Sequence, residues 1–238
     1  EPVLEKMLEY YHQYRANVGR GVNRLSQEAD EEYEKARGKV AGFVNAKSEN
    51  EIIMTKNTTE GINTVASGLK WKKGDKIVTS ALEHHSNYVV WLRLKKRWGV
   101  EVEVVMPKEP RACGILELSD FEESIDDKTR LVAVTHVSNV LGTMLPIEDI
   151  TKIAHEHNAL VLTDAAQSVP HTEIDVRKIG CDFLAFSGHK MCGPTGSGVL
   201  YMKNEVMTEV EPLTIGGGTI EDVEIGDYRL STTSKRFE

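Results

Sequence analysis

From residue 51 onward the chain alternates short apolar runs with longer stretches of helical period, and this alternation constrains the fold more than any other feature. Seven runs have the length and residue types of strands: Glu51–Thr55, Lys76–Ser80, Val100–Val105, Arg130–Thr135, Ala159–Thr163, Cys181–Ser187 and Gly198–Met202. Thr59–Leu69, Ser86–Trp98, Ser119–Ile125 and Pro146–His157 lie between most of them with helical spacing. Strand followed by helix, repeated, predicts an α/β fold: a mostly parallel, mixed sheet covered by helices on both faces. The last three runs follow one another on short links, so antiparallel pairing is expected there.

Upstream, residues 2–14 form an amphipathic pattern, and Ala29, Tyr33, Ala36, Val40 and Phe43 recur at spacings of four and three in a second helix for which Ser26 is the expected N-cap. Asn17–Leu25 between them has neither period and reads as a loop, a candidate for crossing to a partner subunit. The organisation expected is an N-terminal helix and crossing loop over 1–25, then one large domain over 26–238. The absence of an initiator Met and the opening inside an amphipathic pattern predict a fragment of a longer chain.

Composition narrows the function. With 29 Lys+Arg against 37 Asp+Glu, the net charge of -8 disfavours nucleic acid as a partner. No apolar run approaches the roughly eighteen residues that a membrane span needs. Cys113, Cys181 and Cys192 have no CxxC spacing, so neither a disulfide framework nor a metal site is indicated, and a cytoplasmic location is expected.

In parallel sheets ligands bind beyond the carboxyl ends of the strands, so the residues just after each run are the ones to inspect. The first run leads into Asn57-Thr58-Thr59-Glu60-Gly61, a hydroxyl-rich helix start that suits an anion such as phosphate as well as it suits simple capping. The second leads into Glu83-His84-His85-Ser86-Asn87, where one imidazole can face a cleft and no third metal ligand stands at a suitable spacing. His155 and His157 point to different faces of their helix and read as solvated. The fifth run leads into Asp164-Ala165-Ala166-Gln167-Ser168, where a lone Asp could equally be a cap; the sixth leads into Ser187-Gly188-His189-Lys190, ahead of the glycine-rich residues 193–198. A lysine buried there would have its pKa lowered towards that of a nucleophilic amine.

Asp164 and Lys190 project into one crevice if their strands run parallel. Pyridoxal 5'-phosphate uses such a pair: a lysine for its Schiff base and an acid to keep the pyridine nitrogen protonated. Thr58, Thr59, Ser187 and His189 supply donors for its phosphate, and His84 an imidazole to stack on the ring.

With those residues in place, RGVNRLS (20–26), NTTEGIN (57–63), EHHSNYVVW (83–91), THVSNVLG (135–142), TDAAQSVPH (163–171) and SGHKMCGPTGSGVLYM (187–202) together resemble the class V, fold-type I pyridoxal-phosphate enzymes, most closely the SufS-like cysteine desulfurases. The resemblance implies Lys190 as the Schiff-base lysine, Asp164 on the ring nitrogen, Gln167 on the ring hydroxyl, His84 on the ring face and Asn139 beside the substrate or cofactor hydroxyl. It implies L-cysteine as substrate, L-alanine as product, a persulfide passed to a sulfur-acceptor protein of iron–sulfur cluster assembly, and a homodimer. Two departures stand out. Asn23 occupies the place of a usual His, and the family continues beyond Glu238 into a small domain that carries the nucleophilic Cys and the Arg for the substrate carboxylate. Residues 1–238 alone are therefore expected to lack desulfurase activity. Cys192 is expected to be a packing residue, Cys181 a small hydrophobe in a buried strand, and Cys113 part of a turn. Another class V aminotransferase or lyase, or a non-catalytic fragment, is the alternative.

Overall fold

The computed structural model describes residues 1–19, 21–107 and 115–238; Arg20 and Cys113 lie outside them. All seven strand candidates enter one sheet: β1 (Ile52–Thr55), β2 (Lys76–Ser80), β3 (Glu101–Val105), β4 (Thr129–Thr135), β5 (Leu160–Asp164), β6 (Phe183–Ser187) and β7 (Gly198–Met202). Their order is β1-β7-β6-β5-β4-β2-β3. Only β7 runs against the others, pairing antiparallel with β1 and β6, while β2, β3, β4, β5 and β6 pair in parallel.

Successive strand residues point to opposite faces, and each face has its own core. On one side Leu131 and Ala133 of β4 meet Ile62 and Val65 of α3 (Thr58–Gly68) and Trp91 and Leu94 of α4 (Val89–Trp98). On the other, Val132 and Val134 meet Phe121 of α5 (Leu118–Ser124) and Ile150 and Ala154 of α6 (Ile147–Glu156). Leu131 is fully buried, so truncating it to Ala should cost about 2–5 kcal/mol.

Local chemistry sets the element ends. The 2–14 pattern forms α1 (Pro2–Glu9) and then a π turn over Tyr10–Tyr14. The second helix, α2, spans Arg24–Phe43, and its cap is Asn23 rather than Ser26: Asn23 Oδ1 accepts the Ser26 N–H at 3.1 Å. Asparagine is among the best N-caps, so the residue that departs from the family pattern serves the helix start here. The Ser86–Trp98 candidate starts later, because His85–Asn87 forms a 3-10 turn before α4. Two short helices, α7 (Val176–Ile179) and α8 (Asn204–Met207), and the hairpin β8 (Ile220–Glu224) to β9 (Asp227–Leu230) have no counterpart in the sequence reading. Among the described residues, no helix is long and apolar enough to cross a membrane.

Candidate active site

Parallel pairing of β5 with β6 brings Asp164, the last residue of β5, opposite Ala185 and next to the segment that carries Lys190. Asp164 is buried, and its Oδ1 accepts the Ala166 N–H at 3.0 Å. Burial pushes its carboxyl above the ordinary value, against the Ala166 N–H and the nearby Lys190 and His84. Lys190 sits in a 3-10 turn directly after β6 and is half-buried, less enclosed than its strand-end position implied. Among the described residues it forms no ion pair.

The start of α3 supplies the next wall. Asn57 caps the helix by accepting the Glu60 N–H at 2.9 Å. The Thr58 N–H donates to Ser187 Oγ at 2.8 Å, and the two hydroxyls lie 2.7 Å apart, fastening the helix start to the end of β6. The first turn of a helix offers N–H groups and the positive end of its dipole, an environment for an anion. Gly198 makes the approach feasible: a Cβ there would come within 2.6 Å of Asn57 Cα.

His84 lies beside the helix start. Its Nδ1 accepts the Ser86 N–H at 3.2 Å, which leaves the proton of the neutral ring on Nε2. Ser86 Oγ lies 3.0 Å from that Nδ1 and 2.7 Å from Thr59 Oγ1, so a chain of hydroxyls joins the imidazole to the helix start. Sequence reading assigned Ser86 no role beyond opening a helix. Its signal, a hydroxyl two residues after a histidine, is too common to read without the fold.

Thr58, Thr59, His84, Asp164, Ser187, His189 and Lys190 all line one cavity of about 230 Å³, with Asn57, Ser86 and Ala166. Gln167 and Asn139 do not. Gln167 is half-buried just past Ala166, and Asn139 is exposed in the turn after β4. A larger cavity of about 550 Å³ is lined by His136, Glu148 and Lys178 and holds none of these groups, so chemistry rather than volume marks the site.

Three expectations are revised. His155 and His157 are not merely solvated: His155 Nε2 lies 2.9 Å from Asp182 Oδ2, and His157 Nδ1 lies 2.7 Å from Asp127 Oδ1. Cys192 is exposed with a φ of 64°, so it is not a packing residue. Cys181, by contrast, is buried as its strand position implied, and burial pushes its thiol up to about 12.

The donor set fits pyridoxal phosphate by its chemistry. A buried carboxylate suits the ring nitrogen, an unpaired amine the aldehyde carbon, an imidazole the ring face, and hydroxyls at a helix start the phosphate. Fold and site define the chain's class, that of the fold-type I pyridoxal-phosphate enzymes. The profile for "Aminotransferase class-V" matches residues 1–238, and the chain belongs to that family. It is 50% identical over 238 residues to a probable cysteine desulfurase of Methanothermobacter thermautotrophicus, covering 100% of this chain and 58% of that relative. It is similar to the apo structure of the cysteine desulfurase from Thermococcus onnurineus NA1 at a TM-score of 0.93 and 50% identity, over 100% of this chain and 59% of the other. It also matches the cystine C-S lyase C-DES in complex with its product cysteine persulfide, at a TM-score of 0.87 and 27% identity, over 99% of this chain and 63% of the lyase. A mutant of C-DES carries glycine covalently linked to its pyridoxal-phosphate cofactor. The chain thus spans less than two thirds of the length of these relatives.

Proposed function

We propose that the protein is a pyridoxal-phosphate-dependent cysteine desulfurase that takes sulfur from L-cysteine, leaves L-alanine, and passes the sulfur as a persulfide to an acceptor protein of iron–sulfur cluster assembly. The observation that carries this reading is the convergence of Lys190, Asp164 and His84 with a hydroxyl-lined helix start on one cavity. The desulfurase names of the relatives support it.

Pyridoxal phosphate, when bound, supplies an electron sink that weakens bonds at the carbons next to a substrate amine. Lys190 would hold its aldehyde carbon through Nζ and, once displaced by the substrate amine, carry a proton to or from the substrate. Asp164 would keep a proton on the ring nitrogen, where an amide would not stabilise the charge. His84 would cover the ring face, Gln167 would donate to the ring hydroxyl, and Asn139 would stand beside the substrate or that hydroxyl. Thr58, Thr59, Ser187 and His189 would bind the phosphate. The thiolate that receives the sulfur is assigned to none of Cys113, Cys181 or Cys192: the Cys181 thiol stays protonated in its core position, and neither it nor Cys192 lines the cavity.

A homodimer in which the chain between Tyr14 and α2 crosses to the partner fits the lack of helix over residues 15–19 and 21–23, Arg24 and Leu25 belonging to α2 instead, and a cytoplasmic location fits the free thiols of Cys181 and Cys192. Because residues 1–238 alone are expected to lack desulfurase activity, the test supplies the full-length protein and pyridoxal phosphate with L-cysteine and a reductant, and separately with cystine. Alanine and sulfide in equal amounts from cysteine support the desulfurase; cysteine persulfide from cystine, without alanine, supports a lyase instead.

A further inference from the structure

Glu83 has more hydrogen-bond partners than Asp164, the acid inside the cavity, yet it does not line the cavity and has no part in the chemistry proposed for it. Its Oε1 accepts the Thr135 N–H at 2.9 Å and lies 2.5 Å from Ser80 Oγ. Its Oε2 accepts from Asn87 Nδ2 at 2.6 Å. Those partners are the last residue of β4, the last residue of β2, and the buried last residue of the His85–Asn87 turn.

Each partner leads to a residue of the site. The turn is the one that His84 caps. Thr135 is the register partner of Asp164, and the next residue, His136, donates its N–H to the Asp164 carbonyl at 2.9 Å. One carboxyl therefore joins the segment presenting His84 to the strand pair presenting Asp164. Glu83 as a residue keeps some exposure, but its carboxyl is enclosed. Burial pushes that carboxyl up to about 8, against the hydrogen bonds from Ser80, Thr135 and Asn87 and with a smaller push from Asp164.

Resting on the pyridoxal-phosphate reading, we propose that Glu83 is a positioning residue whose carboxyl fixes the His84 ring relative to Asp164 by tying the ends of β2 and β4 to the turn between them. Its contribution to cofactor binding passes through His84, which separates it from a general stabiliser of the fold. A glutamine can replace much of this function, because its oxygen still accepts from Thr135, and the buried Asn87 Oδ1, which has no partner among the described residues, can turn to receive its N–H.

The test is a double-mutant cycle on the whole protein with E83A, H84A and E83A/H84A, plus E83Q, read by pyridoxal-phosphate affinity and by the circular dichroism of the bound cofactor. E83A should weaken affinity about tenfold and move the dichroic band as H84A does, add less than about twofold in the H84A background, and be rescued by E83Q. A second arm needs no cofactor: nitrogen-edited NMR of the free protein should find His84 as the Nε2–H tautomer in native and E83Q protein and as a tautomer mixture in E83A. Equal losses from E83A with and without His84, or an unchanged tautomer, would overturn the proposal. Failure of native protein to bind pyridoxal phosphate would sink the cofactor reading instead, and the NMR arm would then decide the role of Glu83 alone.

Discussion

Around the amino ends of the strands, Lys76 lies 2.6 Å from Glu103 and 3.1 Å from Asp126, and Asp182 is held by His155 at 2.9 Å and Lys203 at 3.0 Å. At the carboxyl ends, Asp164 and Lys190 form no ion pair among the described residues, although Asp164 is as buried as Asp182. The two aspartates titrate in opposite directions. Burial pushes both carboxyls up, but around Asp182 the histidine, the lysine and the Val161 N–H outweigh it and hold the group below its ordinary value. Asp164 has one N–H, with Lys190 and His84 acting on it from farther away, and burial wins. One end of the sheet pairs its charges, whereas the other leaves Asp164 and Lys190 without ion pairs among the described residues, beside the cavity.

The strongest challenge to that contrast is Lys190→Ala. It should abolish the visible absorbance of bound cofactor and, in the full-length protein, lower turnover by at least about 10³-fold. Because the residue is half-buried and has no ion pair among the described residues, unfolding should move by less than about 0.5 kcal/mol. A denaturant melt beside the spectrum checks both halves.

The opposite end should answer in stability. Asp182→Ala strands a lysine and leaves the Val161 N–H, which donates to Asp182 Oδ2 at 2.8 Å, without its acceptor. A loss of about 3–5 kcal/mol is expected, with cofactor affinity in the surviving folded protein unchanged. Asp164→Asn should do the reverse, lowering turnover of the full-length protein about 10²-fold while costing under about 1 kcal/mol in a chemical melt. An Asp164→Asn protein as unstable as Asp182→Ala would erase the distinction.

How much of this was legible in the sequence depended on the kind of signal. Six of the seven main-sheet strands were legible because they are buried and therefore apolar, and the edge strand β3, buried only at Val105, was legible from its Glu/Val alternation. The hairpin Ile220–Leu230 was not, since Val223, Ile225 and Tyr228 are largely exposed and leave no core-facing alternation to read. Lys190, Asp164 and His84 were legible because strand ends are where parallel sheets bind ligands. Glu83 and Ser86 act through partners 52 and 27 residues away, respectively, and such pairings exist only once β2, β4 and α3 are assembled. Asn23 was read only as a departure from a pattern, since nothing in a sequence separates a missing ligand from a helix cap.

A pH dependence is expected as well. The Glu83 carboxyl is raised from 4.5 to about 8 in the folded protein, so the folded state holds a proton that the unfolded chain releases between those values. Stability from this group is therefore full below pH 4.5, falls as pH rises, and is lost above pH 8. Ser80, Asn87, Thr135 and Asp164 are the groups that face it. Glu83→Gln should flatten the decline in melting temperature between pH 5 and 8; a native slope that survives the substitution assigns it to another group.

Chemical trapping asks most directly whether Lys190 is the lysine held in reserve for the cofactor. Native protein is saturated with pyridoxal phosphate, reduced with borohydride, digested and mapped by mass spectrometry. One pyridoxyl group per chain, on Lys190, and none in Lys190→Ala is the result predicted. Labelling spread over surface lysines, or an equal yield from the variant, would contradict it.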